Sequence, residues 1–326
     1  MKTKKNSTKP FFLITIDAEG DNLWSRPKII ETKNAEFLHR FQILCEKYGL
    51  KPTYLTNYEM AISPNYVEFG REVIKKQTGE IGMHLHAWNN PPLESITNDD
   101  LYYQPYLIEY NIDVMYKKII AITNLLKETF NNDIISHRSG RWAFNQTYAN
   151  LLIDNGYKID CSVTPLRSWS STKGHPAGEG GSDYRFHPQM PYLINSTNSK
   201  TNKTLLEIPV TIISRNNWLN NFISISDHFS IINKKLFQNY LDPIWLRPNG
   251  KNIDLLKKIL KYKLKVNHDY VMFTLHSSEL MPGGSPTFRN ENDIEKLYSD
   301  IEEVFSLAKK YFLPATLKEY HHYYLK

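Results

Sequence analysis

Six polar residues stand at or just past the ends of short apolar runs: Asp17, Glu19, His84, His86, Arg138 and His276. In Ile14-Thr15-Ile16-Asp17-Ala18-Glu19 the two acids are two residues apart. In an extended chain such residues project to one side. Adjacent carboxylates repel unless one is protonated or a cation lies between them, so the pair implies a metal or an acid/base couple. Turn formation and helix capping are the structural alternative. His84-Leu85-His86 repeats the spacing with imidazoles. Two His and one carboxylate around an ion leave a position open for water, the arrangement of catalytic rather than structural zinc. Co, Fe or Mn would fit the same donors. Arg138, in Ser136-His137-Arg138-Ser139-Gly140-Arg141-Trp142, can clamp a carboxylate, keep a base ionised, touch substrate, or form a purely structural ion pair. His276 closes the run Phe273-Thr274-Leu275 and is a candidate general acid. The loop Gly181-Ser182-Asp183-Tyr184-Arg185-Phe186-His187 suits a hydroxylated ligand, with Tyr184 and Arg185 as its candidate contacts.

The elements that would carry these residues alternate between strand and helix. Strands are expected at 11–17, 52–56, 80–86, 134–137, 159–162 and 270–276, and helices at 35–48, 66–76, 112–130, 145–155 and 292–311. The helix at 112–130 should turn Val114, Ile119, Ile120, Ile122 and Leu126 inward. Such alternation predicts an α/β fold with a parallel sheet or barrel. The polar residues then fall at strand C-terminal ends, where α/β folds place their sites. Residues 1–9 read as a flexible basic tail, and 10–326 as one domain with a glycine-rich loop insertion near 167–190.

Composition narrows the function classes. The chain has 326 residues, 41% hydrophobic and 23% charged, which excludes collagen, coiled coil and wholesale disorder. Of the net charge of +6, four units come from Lys2, Lys4, Lys5 and Lys9, so the body offers no strongly basic face for nucleic acid. The lysine-rich run 251–265 has helical spacing and reads as a solvated outer face rather than a membrane-binding one. Cys45 and Cys161 read as two free thiols in a reducing compartment. The apolar stretch at 11–16 is too short for a signal peptide, and no run could span a bilayer, so a cytoplasmic location is expected. There is no Gly-x-Gly-x-x-Gly, phosphate loop or Gly-x-Ser-x-Gly elbow.

In this order the blocks resemble the polysaccharide deacetylases (NodB-homology, carbohydrate esterase family 4). Within that family the chain resembles the WalW-like branch tied to bacterial surface-polysaccharide loci. The resemblance runs from Phe11 to His276. It implies a distorted (β/α) barrel of about seven strands. Asp17 matches the family's base. The neighbouring ligand position is Ala18, so Glu19 becomes the carboxylate ligand. His84 matches the first residue of a His-x-x-x-His block whose second position is Trp88, so His86 takes its place. Arg138 matches the arginine that orients the base, Asp160 an aspartate that lines the groove, and His276 the acid. The implied activity is metal-dependent removal of N-acetyl, O-acetyl or formyl groups from a sugar or sugar conjugate, with one divalent ion, zinc foremost. Trp88, Trp142 and Tyr184 are candidate sugar-stacking residues, with core packing as the alternative for each. Two other readings use the same constellation: a sugar-binding protein with a degraded site, and an amidohydrolase of a small non-sugar amide.

Overall fold

A computed structural model describes residues 9–197, 203–215 and 243–326. All but the last residue of the expected basic tail lies outside the described residues. The strands are β1 (Phe11–Ala18), β2 (Pro52–Thr56), β3 (Glu80–Leu85), β4 (Ser136–Ser139), β5 (Ile159–Asp160), β6 (Tyr192–Asn195), β7 (Thr204–Glu207), β8 (Ile212–Ser214), β9 (Pro243–Trp245), β10 (Tyr270–His276) and β11 (Leu313–Ala315).

The main sheet runs β10-β1-β2-β3-β4-β5-β7-β6, with β11 also beside β1. Its first seven strands are mutually parallel, and β6 joins the edge antiparallel. The seven parallel strands match the expected number, and the curled sheet makes an α/β half-barrel rather than a closed one. The antiparallel pair β8–β9 lies against the β10 edge through single hydrogen bonds. Leu246 N–H donates to Thr211 O (3.1 Å), Met272 N–H to Thr211 Oγ1 (2.8 Å) and Thr274 N–H to Leu246 O (3.3 Å).

The strands are buried on both faces: every residue of β2 and β3 is buried, and all but the first of β1. This is why they read as continuous apolar runs rather than alternating ones. The helices start at asparagine caps that accept from the first turn: Asn111 from Val114 N (2.9 Å), Asn145 from Tyr148 N (2.9 Å) and Asn290 from Asp293 N (3.0 Å). The helix Ile112–Phe130 buries Val114, Ile119, Ile122 and Leu126 as expected, leaves Ile120 half-buried, and also buries Lys118. The lysine-rich run forms the helix Ile253–Lys265, whose apolar stripe of Leu256, Ile259 and Leu260 packs into the core.

Several boundaries differ from the sequence reading. The fourth strand is Ser136–Ser139, two residues later than expected, so Arg138 sits within it. The fifth is only Ile159–Asp160, and His86 lies just beyond β3. The expected helix from 35 begins as a 3-10 turn, Lys33–Phe37, and becomes α-helical over Leu38–Lys47. Strands β6 to β9, β11 and a final helix Leu317–Leu325 were not expected. They are short and take their shape from neighbours. Among the described residues, no helix is long and apolar enough to cross a membrane.

Candidate metal-centred active site

Register places the first pair. On the adjacent parallel strands β1 and β10, Asp17 stands opposite His276, and on β3 and β4 His84 stands opposite Arg138. Partners in a parallel ladder point the same way, so four of the six candidate residues converge at the strands' C-terminal end. Glu19 follows β1 and is fixed through its backbone. Its N–H donates to Ser277 Oγ (3.1 Å), and its carbonyl accepts from that hydroxyl (3.2 Å) and from Asn34 Nδ2 (2.9 Å).

Glu19, His84 and His86 form a buried trio whose potential ligand atoms all lie within 4.8 Å of one another. Glu19 Oε2 is 3.6 Å from His84 Nε2 and 3.4 Å from His86 Nε2. Ligands at about 2.0–2.1 Å around a tetrahedral ion would stand roughly 3.3–3.4 Å apart, so these separations are closer to co-ligands than to hydrogen-bonded partners. His84 Nδ1 lies 2.9 Å from Arg138 O. A carbonyl only accepts, so Nδ1 carries a proton and Nε2 faces the trio, the backing usual for a ligating imidazole; burial lowers this ring, but Asp17 and then Glu19 raise it above its ordinary value, an attraction that a bound cation would replace. Burial first, then the nearby His84, His276 and Arg141, hold His86 well below the usual imidazole range and therefore neutral. Its Nδ1 has no partner within the protein among the described residues. Two imidazole nitrogens and a carboxylate fit a divalent ion.

Asp17 stands beside this trio. Arg138 NH1 donates to Asp17 Oδ1 (2.6 Å), and its other nitrogens donate to Thr15 Oγ1 (2.8 Å) and Cys161 O (3.2 Å). Burial by itself would raise the Asp17 carboxyl; the Arg138 guanidinium, helped by His84 and His276, outweighs it and holds the group below its ordinary value. His276 Nε2 is 3.7 Å from Asp17 Oδ2 and 3.8 Å from Glu19 Oε1. On the ring's far side, Nδ1 lies 2.8 Å from Arg247 NH2 and 3.3 Å from Glu279 Oε2. A guanidinium has no acceptor. In the neutral ring Nδ1 therefore accepts from Arg247 and Nε2 bears the proton, while Glu279 can receive an Nδ1 proton when the ring is charged. Burial works against the Glu279 carboxylate, but Arg247 and then His276 bring it down to about 2.

The other expected substrate contacts divide. Trp88 stacks on His86 (centroids 4.3 Å apart, planes 19° apart), and the Arg138 guanidinium lies 4.9 Å from the Trp142 ring. Asp160 and Tyr184 instead brace the wall. Asp160 is fully buried, bonded to His137 Nδ1 (2.6 Å) and Ser162 Oγ (2.8 Å), and Tyr184 is buried with its hydroxyl donating to Trp142 O (2.5 Å). Neither presents a free polar atom to a groove, because β5 runs inside the sheet and the loop folds back over Trp142. Arg185 pairs with Asp183 on the same loop (Nε–Oδ1 2.8 Å).

Glu59, Arg247, Glu279 and Trp24 escaped the sequence reading. Buried Glu59 follows β2. It accepts from Gly20 N (3.0 Å) and Asn57 Nδ2 (2.5 Å) through Oε1, and from Asn89 Nδ2 (2.7 Å) through Oε2. One carboxylate thus ties the loop after Glu19 to the loop after His86. Glu279 had a local signal, three residues after His276; the other three had none.

Compared by sequence, no protein-family profile and no curated protein matches the chain. Compared by structure, a protein from Mycobacterium smegmatis described as a polysaccharide deacetylase superposes with a TM-score of 0.56 at 13% identity, covering 98% of this chain and 92% of the other. The 4-alpha-glucanotransferase of Thermococcus litoralis superposes at 0.54 and 12% identity, covering 96% of this chain but 40% of the other. The Xyl-CE4 domain of a multidomain xylanase from the hindgut metagenome of Trinervitermes trinervoides gives 0.45 at 10% identity, over 97% and 91%. The half-barrel, its strand order and the superposition on the Mycobacterium smegmatis protein identify the fold as the NodB-homology fold of the polysaccharide deacetylases.

Proposed function

We propose that the chain is a metal-dependent deacylase that hydrolyses an N-acetyl or related acyl group on a sugar or sugar conjugate. One observation carries the reading. A co-ligand trio, an ionised carboxylate locked to a buried arginine, and a histidine facing both converge at one strand edge. Glu19, His84 and His86 would hold a divalent ion, zinc foremost, which when bound polarises the acyl carbonyl and acidifies water. Asp17 takes the proton of the attacking water as general base, and Arg138 keeps it ionised and aimed. His276 delivers its Nε2 proton to the leaving nitrogen, without which an amine leaves poorly. Arg247 and Glu279 orient that ring, and Glu279 stabilises its charged form. Trp88 and Trp142 cover the polar groups and keep bulk water from them.

The fold by itself does not choose this chemistry, since a glucanotransferase shares it. Glycosyl transfer of that kind needs one carboxyl kept protonated as acid. What favours acyl hydrolysis is the Glu19, His84 and His86 trio beside Asp17, a candidate divalent-ion site that catalysis by a carboxyl pair does not use. The test is a metal analysis of purified protein together with acetate release from free, nucleotide-linked and oligomeric N-acetyl sugars. About one ion per chain and chelator-sensitive release are expected. A bound ion without release from any sugar, but with release from a small aryl amide, would replace the sugar by a non-sugar amide. No ion at all would leave a binding protein on the same fold.

A further inference from the structure

Trp24 is an unusual surface residue. It is 43% exposed, yet its ring centroid lies 4.9 Å from that of His276, with the planes 75° apart. It rides on a single 3-10 turn, Leu23–Ser25, flanked by two non-glycine residues in left-handed conformation, Asn22 (φ 44°) and Arg26 (φ 52°). Such backbone is costly and persists where surrounding structure enforces it, often at ligand clamps. Here the enforcement is visible. Leu23 is buried beneath the turn, Gln104 Nε2 donates to Leu23 O (3.3 Å), and the Arg26 guanidinium lies 4.8 Å from the Tyr102 ring. Arg141 in turn donates to Gln104 O. Three loops thus cooperate to hold a half-exposed indole at the edge of the candidate acid.

We propose that Trp24 is the platform of a pyranose subsite, seating the sugar ring that carries the scissile acyl group. This rests on the deacylase reading above. A nitrogen receiving the His276 Nε2 proton lies within about 3 Å of it, and the sugar carbon bearing that nitrogen is one bond further. The ring must therefore lie close to His276, where the groups Asp17, Glu19, Arg247 and Glu279 are polar and the half-exposed Trp24 indole offers an apolar face. A pyranose presents one face of C–H groups, which removes apolar indole area from water while its hydroxyls stay solvated. Trp24 would therefore govern which sugar is accepted and how it is held, leaving proton transfer to Asp17 and His276.

The test compares wild-type protein with Trp24→Ala, Trp24→Phe and, as a control for loss of any exposed apolar side chain from the same loop, Ile29→Ala; Ile29 is 79% exposed. Affinity is measured calorimetrically on zinc-loaded protein with the glucosamine trimer, which carries no acyl group and cannot turn over. KM and kcat are measured by acetate release from the N-acetylglucosamine trimer. Expected are a loss of about tenfold or more in trimer affinity and a matching rise in KM for Trp24→Ala, substantial recovery in Trp24→Phe, and wild-type affinity in Ile29→Ala. Zinc stoichiometry and melting temperature should stay at wild-type values in all three variants. If wild type binds and hydrolyses the trimers and Trp24→Ala does so equally well, the platform is refuted while the deacylase reading stands. Equal losses in Trp24→Ala and Ile29→Ala would also refute it, because a general apolar rim would then explain the binding. If wild type neither binds these trimers nor releases acetate from any sugar of the panel, the sugar reading falls and the platform with it.

Discussion

Each polar residue of the site is defined by the group behind it. The charged His276 ring can act as an acid because Glu279 accepts its Nδ1 proton (3.3 Å) while Nε2–H faces Asp17 and Glu19. Replacing His276 by Ala should leave metal stoichiometry intact and lower kcat by about 10²–10⁴, the usual range for a lost proton donor; metal analysis beside acetate release checks both. Wild-type turnover in that variant would remove His276 from the mechanism. Asp17 depends on Arg138 in the same way. Its carboxyl is depressed in the folded chain, so its contribution to stability is present above the unfolded value, about 3.9, and is lost as pH falls through the lower folded value. The ion pair therefore holds throughout neutral pH. Arg138→Met leaves a buried, unpaired Asp17, a change of a kind that typically costs about 3–5 kcal/mol. Denaturant melts at pH 7 should show that loss, and the acid limb of kcat/KM should move to higher pH.

At the scale of elements, the site is a meeting of strand ends kept in place by their loops. β1 delivers Asp17 and then Glu19, β3 delivers His84 and then His86, and Glu59 beyond β2 joins the two by accepting from Gly20 and Asn89. Three N–H groups point at its two oxygens, so glutamine, with a single carbonyl oxygen, would turn an amide donor toward one of them. Glu59→Gln is expected to weaken Co²⁺ or Zn²⁺ binding about 10–100-fold, as for other groups that orient ligands, with a much smaller effect on the melting temperature of metal-free protein. A cobalt titration followed by its visible spectrum reads this directly. Unchanged affinity would mean that the loops hold themselves.

Across the whole molecule, the sheet places a second polar cluster behind the first. Glu207 stands opposite Asp160 in the β5–β7 ladder, and Asp160 is bonded to His137, which touches Tyr148 (2.8 Å); all four are fully buried. Burial, and then the neighbouring Asp160, push the Glu207 carboxyl well above its ordinary value, whereas His137 helps to keep Asp160 low against its own burial. Burial and Asp160 thus hold Glu207 toward its neutral form in the folded chain relative to the unfolded one. A raised carboxyl favours the folded state below the unfolded pKa of about 4.3 and loses that advantage as pH climbs toward the folded value. Glu207→Gln removes this dependence while keeping a donor for Asp160. Its stability relative to wild type should therefore be greater at pH 9 than at pH 5, as read from denaturant midpoints at the two values. Parallel curves would show that Glu207 does not titrate with folding.

Much was legible in the residues themselves. The apolar runs of β1, β2, β3 and β10, buried on both faces, and the stretches of helical periodicity between them announced an α/β sheet. The two-residue spacings of Asp17 with Glu19 and His84 with His86 pointed to a candidate cation site at its edge, because period and spacing are local properties of the chain. The sequence could not show that Asp160 faces inward toward His137, that Glu59 joins two loops, or that Arg247 and Trp24 stand on either side of His276. Those relations join residues up to 252 positions apart, as between Trp24 and His276. They exist only once parallel register and the curl of the half-barrel bring strand ends together, since long-range pairing, unlike local propensity, is set by which buried surfaces fit.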